Sequence, residues 1–249
     1  MPKVSLVMAM EEESQGIVRA LGLERVVPRE RYQTLPFIFY RGRYQGLELT
    51  LTLPGKDPRV GMDNIGTEPA AVATFATVME FAPDLLINAG TAGSFRASGA
   101  EVGRVYLSES AFFFHDHRIP IKGWDEFGRG RYPSLDVRKL ATKLGLATAN
   151  VSSGNSLDFT DEDLRILKAN GATLKEMEVG AVAWVAFTTG TPLFAIKSVT
   201  NLIDVSPDSP TEFEKNFPVA VASLTRETVR VLSEIAGLDL PAVLARNSI

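Results

Sequence analysis

A chain of 249 residues, 45% hydrophobic and 22% charged, has the composition of a soluble globular protein and the length to bury a large core. Its formal charge of −4 gives no footprint for nucleic acid or an anionic membrane, and the lack of cysteine excludes disulfides, thiolate nucleophiles and cysteine metal sites. No uninterrupted apolar run approaches bilayer length, and no basic segment with a cleavage site opens the chain, so a cytoplasmic location is expected.

Residues 4–9 form a short apolar run that leads through Met10, Glu11, Glu12 and Glu13 into helically spaced Ile17, Val18, Ala20 and Leu21, a strand-to-helix junction. Residues 37–40 and 47–53 read as strands joined by a hairpin-type turn around 42–46. Over 67–81 the apolar set Val72, Phe75, Val78 and Met79 follows helical spacing, with Pro69 tolerated in the first turn. A buried strand at 84–89 then ends in the small-residue turn Gly90-Thr91-Ala92-Gly93. The second half continues with a strand at 105–114, a loop through Arg131, a helix at 135–144 and a short strand near Val151. Helices at 161–169 and 179–187, a strand at 192–199 and a long helix from 210 toward 236 complete the pattern.

No linker, repeat or low-complexity stretch interrupts the chain, so a single domain over 1–249 is expected. Alternating strands and helices indicate an α/β/α sandwich with a central mixed, largely parallel sheet. Ligands in such sheets gather at the carboxyl ends of strands. Three polar clusters fall there: Glu11 to Glu13, Gly90 to Ser94, and Thr200 with Asn201.

Glu176-Met177-Glu178 sets two carboxylates where an apolar helix begins. One reading is a helix start, whose first-turn N–H groups favour acid. The other is an acceptor pair for vicinal hydroxyls, because an ionised carboxylate only accepts and can take both O–H protons of a diol. His115 and His117 flank Asp116, yet no third ligand lies at helical spacing, so neither a metal nor another cofactor is expected.

Met8 to Glu13, Ile87-Asn88-Ala89-Gly90-Thr91-Ala92-Gly93, Lys175 to Glu178, and Ser198 to Asp204 together resemble the methylthioadenosine/S-adenosylhomocysteine nucleosidase family, whose fold is nucleoside phosphorylase-like. The resemblance is nearest to the plant-type methylthioadenosine nucleosidases, through Pro54 to Asp57, Asn64 to Thr67 with Pro69, and His115 to Pro120. It implies hydrolysis of the N-glycosidic bond of a purine nucleoside, methylthioadenosine and possibly S-adenosylhomocysteine, releasing adenine. Glu13 then takes the water-activating position, where a carboxylate accepts a proton from water and repels phosphate. Glu178 matches the ribose-diol ligand, with Met177 against the sugar and Glu176 supporting it. Thr91 and Gly93 lie in the small-residue turn, which is either merely tight or a place where backbone approaches a ligand closely. Leu157 falls in a segment resembling the family's purine-contacting loop, and Phe213 and residues 121–127, including Trp124, are candidates for an apolar pocket around a 5′-alkylthio group or else ordinary packing. The resemblance also implies a homodimer, in which the segment after Asp116 serves the neighbouring site, acting on a small-molecule nucleoside.

Two positions depart from the pattern. The family carries aspartate where Asn201 stands, and that aspartate protonates the leaving purine; an amide can donate a hydrogen bond but no proton. Asn155 likewise stands in a Gly-Asp-Ser-like motif, in a segment expected to face the base. Three explanations stay open: a substitution at 201 that traps an intact ligand, a hydrolase preferring 6-oxopurine nucleosides, or a catalytically inactive purine-nucleoside binding or storage homologue. Asp204, three residues on, is not expected to replace the acid.

Overall fold

The computed structural model describes residues 1–27, 29–205 and 209–249. In chain order the strands are β1 (Lys3–Val7), β2 (Glu24–Val26), β3 (Ile38–Tyr44), β4 (Leu47–Leu53), β5 (Leu85–Ser94), β6 (Val105–Phe114), β7 (Tyr132–Pro133), β8 (Ala147–Ser153), β9 (Ala172–Glu176) and β10 (Leu193–Leu202). The helices are α1 (Glu11–Leu21), α2 (Thr67–Phe81), α3 (Trp124–Arg129), α4 (Arg138–Leu144), α5 (Asp161–Ala169), α6 (Val179–Thr189), α7 (Ser209–Ala236) and α8 (Leu240–Ala245).

One mixed sheet runs β2-β3-β4-β1-β5, and beyond β5 it closes on itself. β5 pairs with β10, β10 with β6, β6 with β8, β8 with β9, and β9 returns to the end of β5. The closure splits one edge of β5. Residues 85–88 pair with β1, Gly93 and Ser94 pair with β9, and the stretch between has no strand on that side among the described residues. A cleft opens at that gap, with backbone N–H groups free to serve a side chain or ligand.

Apolar cores lie on both faces of the sheet, as the α/β/α expectation requires. Ile17, Leu140, Leu224, Val231 and Leu240 bring α1, α4, α7 and α8 onto one face. Ala70, Val179, Val182 and Ala186 bring α2 and α6 onto the other. Among the described residues no helix is long and apolar enough to cross a membrane.

The departures from the sequence reading have local causes. The hairpin turn is the residue pair Gln45 and Gly46, both at positive φ, while Gly42 lies inside β3 opposite Leu49. A Cβ on Gly42 would come within 2.8 Å of the Leu23 side chain, which is why the strand needs glycine there. Residues 90–93 are not a turn but the continuation of β5, held by β10 along their length. α2 has the expected bounds but the opposite face inward: Val72, Phe75 and Met79 are exposed, while Ala70, Ala73 and Ala76 pack inside. Five elements were not expected, β2, β7, β9, α3 and the terminal α8, and the helix read from 135 starts at Arg138.

Candidate active site

The junction after β1 turns the first turn of α1 under the gap in the sheet, and there Glu13 is buried. Its Oε1 accepts two hydrogen bonds from one residue, the Thr91 N–H at 2.9 Å and the Thr91 hydroxyl at 2.7 Å. The donor N–H belongs to the stretch of β5 that lacks a strand on its β1 side, so the split edge is what makes this anchor available. The neighbouring Gly90 leaves room: its missing Cβ would stand 3.5 Å from Glu13 Oε2 and 3.4 Å from Lys197 Nζ. Burial pushes the Glu13 pKa above the usual carboxylate range, against the opposing pull of Thr91 and Lys197.

Glu176 and Glu178 have separate tasks. Glu176 ends β9 and accepts the Val179 N–H at 2.9 Å and the Glu178 N–H at 3.2 Å, which satisfies the opening of α6. It also accepts from the Ser153 hydroxyl and pairs with Lys197 at 2.8 Å, both side chains being 2% exposed. The helix-start reading therefore describes Glu176. Glu178 is partly exposed, lines the cleft and accepts the Gly66 N–H at 2.9 Å. Burial and the nearby Glu176 charge raise its pKa to about 7, against Lys197 and Gly66.

In the same cleft β10 delivers Asn201, buried beside Gly93. The Asn201 amide atoms lie 3.2 Å from where a Cβ on Gly93 would stand, so any side chain at 93 would crowd the amide. The Thr200 hydroxyl donates to Asn201 Oδ1 at 3.0 Å, and the Asn216 amide on α7 donates to the Thr200 carbonyl at 2.9 Å. Leu157, 39% exposed, sits in the loop after β8, and its carbonyl accepts from Lys175 Nζ at 3.1 Å.

Glu13, Thr91, Gly93, Leu157, Glu176, Met177, Glu178, Asn201 and Phe213 all line this one cleft, so these nine residues named from the sequence are brought together. Lys197 and Lys175 also line it and were missed. Lys197 carried a signal: a lysine inside the otherwise apolar run of β10 has no place in a core without a buried partner.

Other expectations change. Asn155 does not face the cleft: its Oδ1 accepts the Thr67 N–H at 2.8 Å, its Nδ2 donates to the Thr67 hydroxyl at 2.7 Å, and its own N–H donates to Asp116 at 2.6 Å. It fixes the start of α2 beside Gly66, so its amide bears on Glu178 placement rather than on a base. Ile121, Trp124 and Phe127 are exposed and lie outside this chain's cleft. Asp204 accepts the N–H groups of Arg96 at 2.6 Å and Ala97 at 2.9 Å, an anchoring contact away from the cleft. His115 is buried against Ser152, and burial together with Lys175 lowers its pKa to about 4. Among the described residues no three His, Asp or Glu side chains gather as metal ligands.

A mixed sheet with helices on both faces, split to admit a carboxylate-lined cleft, defines an α/β protein of the phosphorylase superfamily, whose family model matches residues 3–233. Within it the chain belongs to the methylthioadenosine/S-adenosylhomocysteine nucleosidase family. It is 37% identical over 237 residues to a 5′-methylthioadenosine nucleosidase of Arabidopsis thaliana, covering 95% of this chain and 88% of that protein. A 5′-methylthioadenosine/S-adenosylhomocysteine nucleosidase of the same plant is 35% identical over 234 residues, 94% of this chain and 92% of that one. The solved apo structure of an Arabidopsis thaliana 5′-methylthioadenosine nucleosidase superposes with a TM-score of 0.93 at 36% identity, covering 97% of this chain and 98% of the other.

Proposed function

We propose that this chain is an N-ribosyl hydrolase of 5′-methylthioadenosine, slowed at its base-releasing step by Asn201. The observation that carries the reading is Glu13: a buried carboxylate, anchored through one oxygen by Thr91, lines the same cleft as Glu178. A carboxylate at that point suits water and repels phosphate, which favours hydrolysis over phosphorolysis. Glu13 takes a proton from water as the water oxygen bonds to the anomeric carbon. Glu178, when ionised, accepts both ribose hydroxyls, and Met177 packs against the sugar. The bond from the anomeric carbon to the purine breaks with its electron pair going to the base. The base needs a proton; Asn201 offers only a hydrogen bond, so that proton comes from solvent. The products are adenine and 5-methylthioribose.

The reading extends to a homodimer acting in the cytoplasm. An exposed apolar surface supports the dimer: Val72, Phe75 and Met79 on α2 stand with Trp184 and Phe187 on the adjoining α6. Apolar side chains gathered on two adjoining helices are the kind of surface a second copy would cover. A stable monomer in sedimentation would remove the dimer from the account.

Asn201 also favours a second reading, a nucleoside-binding homologue without turnover. Calorimetry with methylthioadenosine, followed by assay of free adenine at high enzyme concentration, tests the proposal. Binding with slow adenine release is expected. Absence of both binding and release would sink the hydrolase and binder readings together, and binding without any release would favour the binder.

A further inference from the structure

Lys175 is a buried lysine whose ammonium pairs with no carboxylate at salt-bridge distance among the described residues. It lies on β9 opposite Gly93 of β5, is 5% exposed, and lines the cleft. A long cation placed there is costly unless its donors are satisfied. Two backbone carbonyls satisfy it: Ser156 at 2.6 Å and Leu157 at 3.1 Å. Burial lowers its pKa, while the surrounding charges of Asp163, Asp158, Glu176 and Asp116 favour the ammonium form.

The choice of carbonyls has a chemical consequence. The Ser156 carbonyl and the Leu157 N–H belong to the same peptide unit, so an ammonium on that oxygen draws electron density along the amide and makes the N–H a stronger donor. Among the described residues no acceptor lies within hydrogen-bond reach of the Leu157 N–H, and Leu157 lines the cleft. From this arrangement we propose that Lys175 is a positioning residue, seating the Ser156-Leu157 peptide at the cleft and strengthening its N–H as a donor to a ring nitrogen of the bound purine. This rests on the reading of the cleft as a purine-nucleoside site. Lys175 thus works through the backbone, while Lys197 works through Glu176; the two lysines serve opposite ends of one ligand.

Calorimetric titration of the parent, Lys175→Met and Lys175→Gln with adenine, 1-deazaadenine and 3-deazaadenine tests it. In the parent, replacing the ring nitrogen that meets Leu157 by carbon should weaken binding about tenfold, the value of one good hydrogen bond. In Lys175→Met that penalty should shrink to about twofold, with Lys175→Gln, which keeps a neutral donor, in between. A role confined to holding the fold would weaken all three bases alike and leave the ratios at the parent's values; unchanged ratios overturn the proposal, as does equal binding of all three bases by the parent. Should Lys175→Met fail to fold, the Gln variant decides by the same ratio. A parent that binds none of the bases would remove the purine-site reading, and this proposal with it.

Discussion

The two ends of the cleft are built from opposite materials. The end proposed for sugar and water holds three glutamates, Glu13, Glu176 and Glu178, with Lys197 buried among them and each carboxylate fixed by backbone N–H groups. The end proposed for the base holds an amide, Asn201, and a loop whose carbonyls rest on Lys175. Buried carboxylates held in place at the first end suit the proposed removal of a proton from water. In the proposed reading the second end recognises and holds, and among the described residues that line it none offers an acid beside Asn201. The contrast teaches that affinity and turnover are assigned to different ends, so substitutions should separate them.

The largest effect is expected at Glu13. Glu13→Gln in an Asn201→Asp background should lower adenine release by about 10²–10⁴ with little change in nucleoside affinity, the signature of a lost general base. Equal loss of affinity would move Glu13 from catalysis to binding. Glu178→Gln should instead weaken the nucleoside by about tenfold or more and leave the affinity for free adenine unchanged, because only the sugar meets that carboxylate. If adenine binding fell in parallel, the division of the cleft would be wrong.

A smaller effect follows from proton uptake at Glu178. Its pKa stands at about 7, so below that pH the free protein holds it protonated and unable to accept both hydroxyls. Nucleoside affinity should therefore rise with pH through about 7, and Glu178→Gln should lose that rise. Stability runs the other way. A carboxyl raised from 4.5 to about 7 by folding contributes stability that is full below 4.5 and is lost as pH climbs through 7. Melting of the unliganded protein across that window should fall less steeply in Glu178→Gln; an identical slope would place the titration elsewhere.

Much of this was legible in the chain. α5 is bounded where Thr160 and Asp163 exchange capping hydrogen bonds, and α6 where an apolar run follows Glu178. Glu13, Thr91, Gly93, Glu176, Met177, Glu178 and Asn201 were legible because they stand in ordered motifs, whereas Lys175 was passed over within one of those motifs and Lys197 beside another. β9 was not, since Ala172–Glu176 ends in a lysine and a glutamate whose burial is decided by distant partners, Leu157 and Lys197. Gly90 to Gly93 have the composition of a turn, and only the pairing with β10 makes them strand. The period of α2 was correct and its direction was not, because spacing fixes a face and says nothing of which side meets the sheet. Asn155 was placed on the base by its motif and is turned by Thr67 instead.

The most direct test of the division is single-turnover release of adenine from methylthioadenosine by the parent and by Asn201→Asp. Returning an acid to the base end, with the sugar and water end untouched, should raise the rate by about 10²–10⁴ while nucleoside affinity stays near the parent's. Equal rates from the two proteins, or no release from either, would contradict the account.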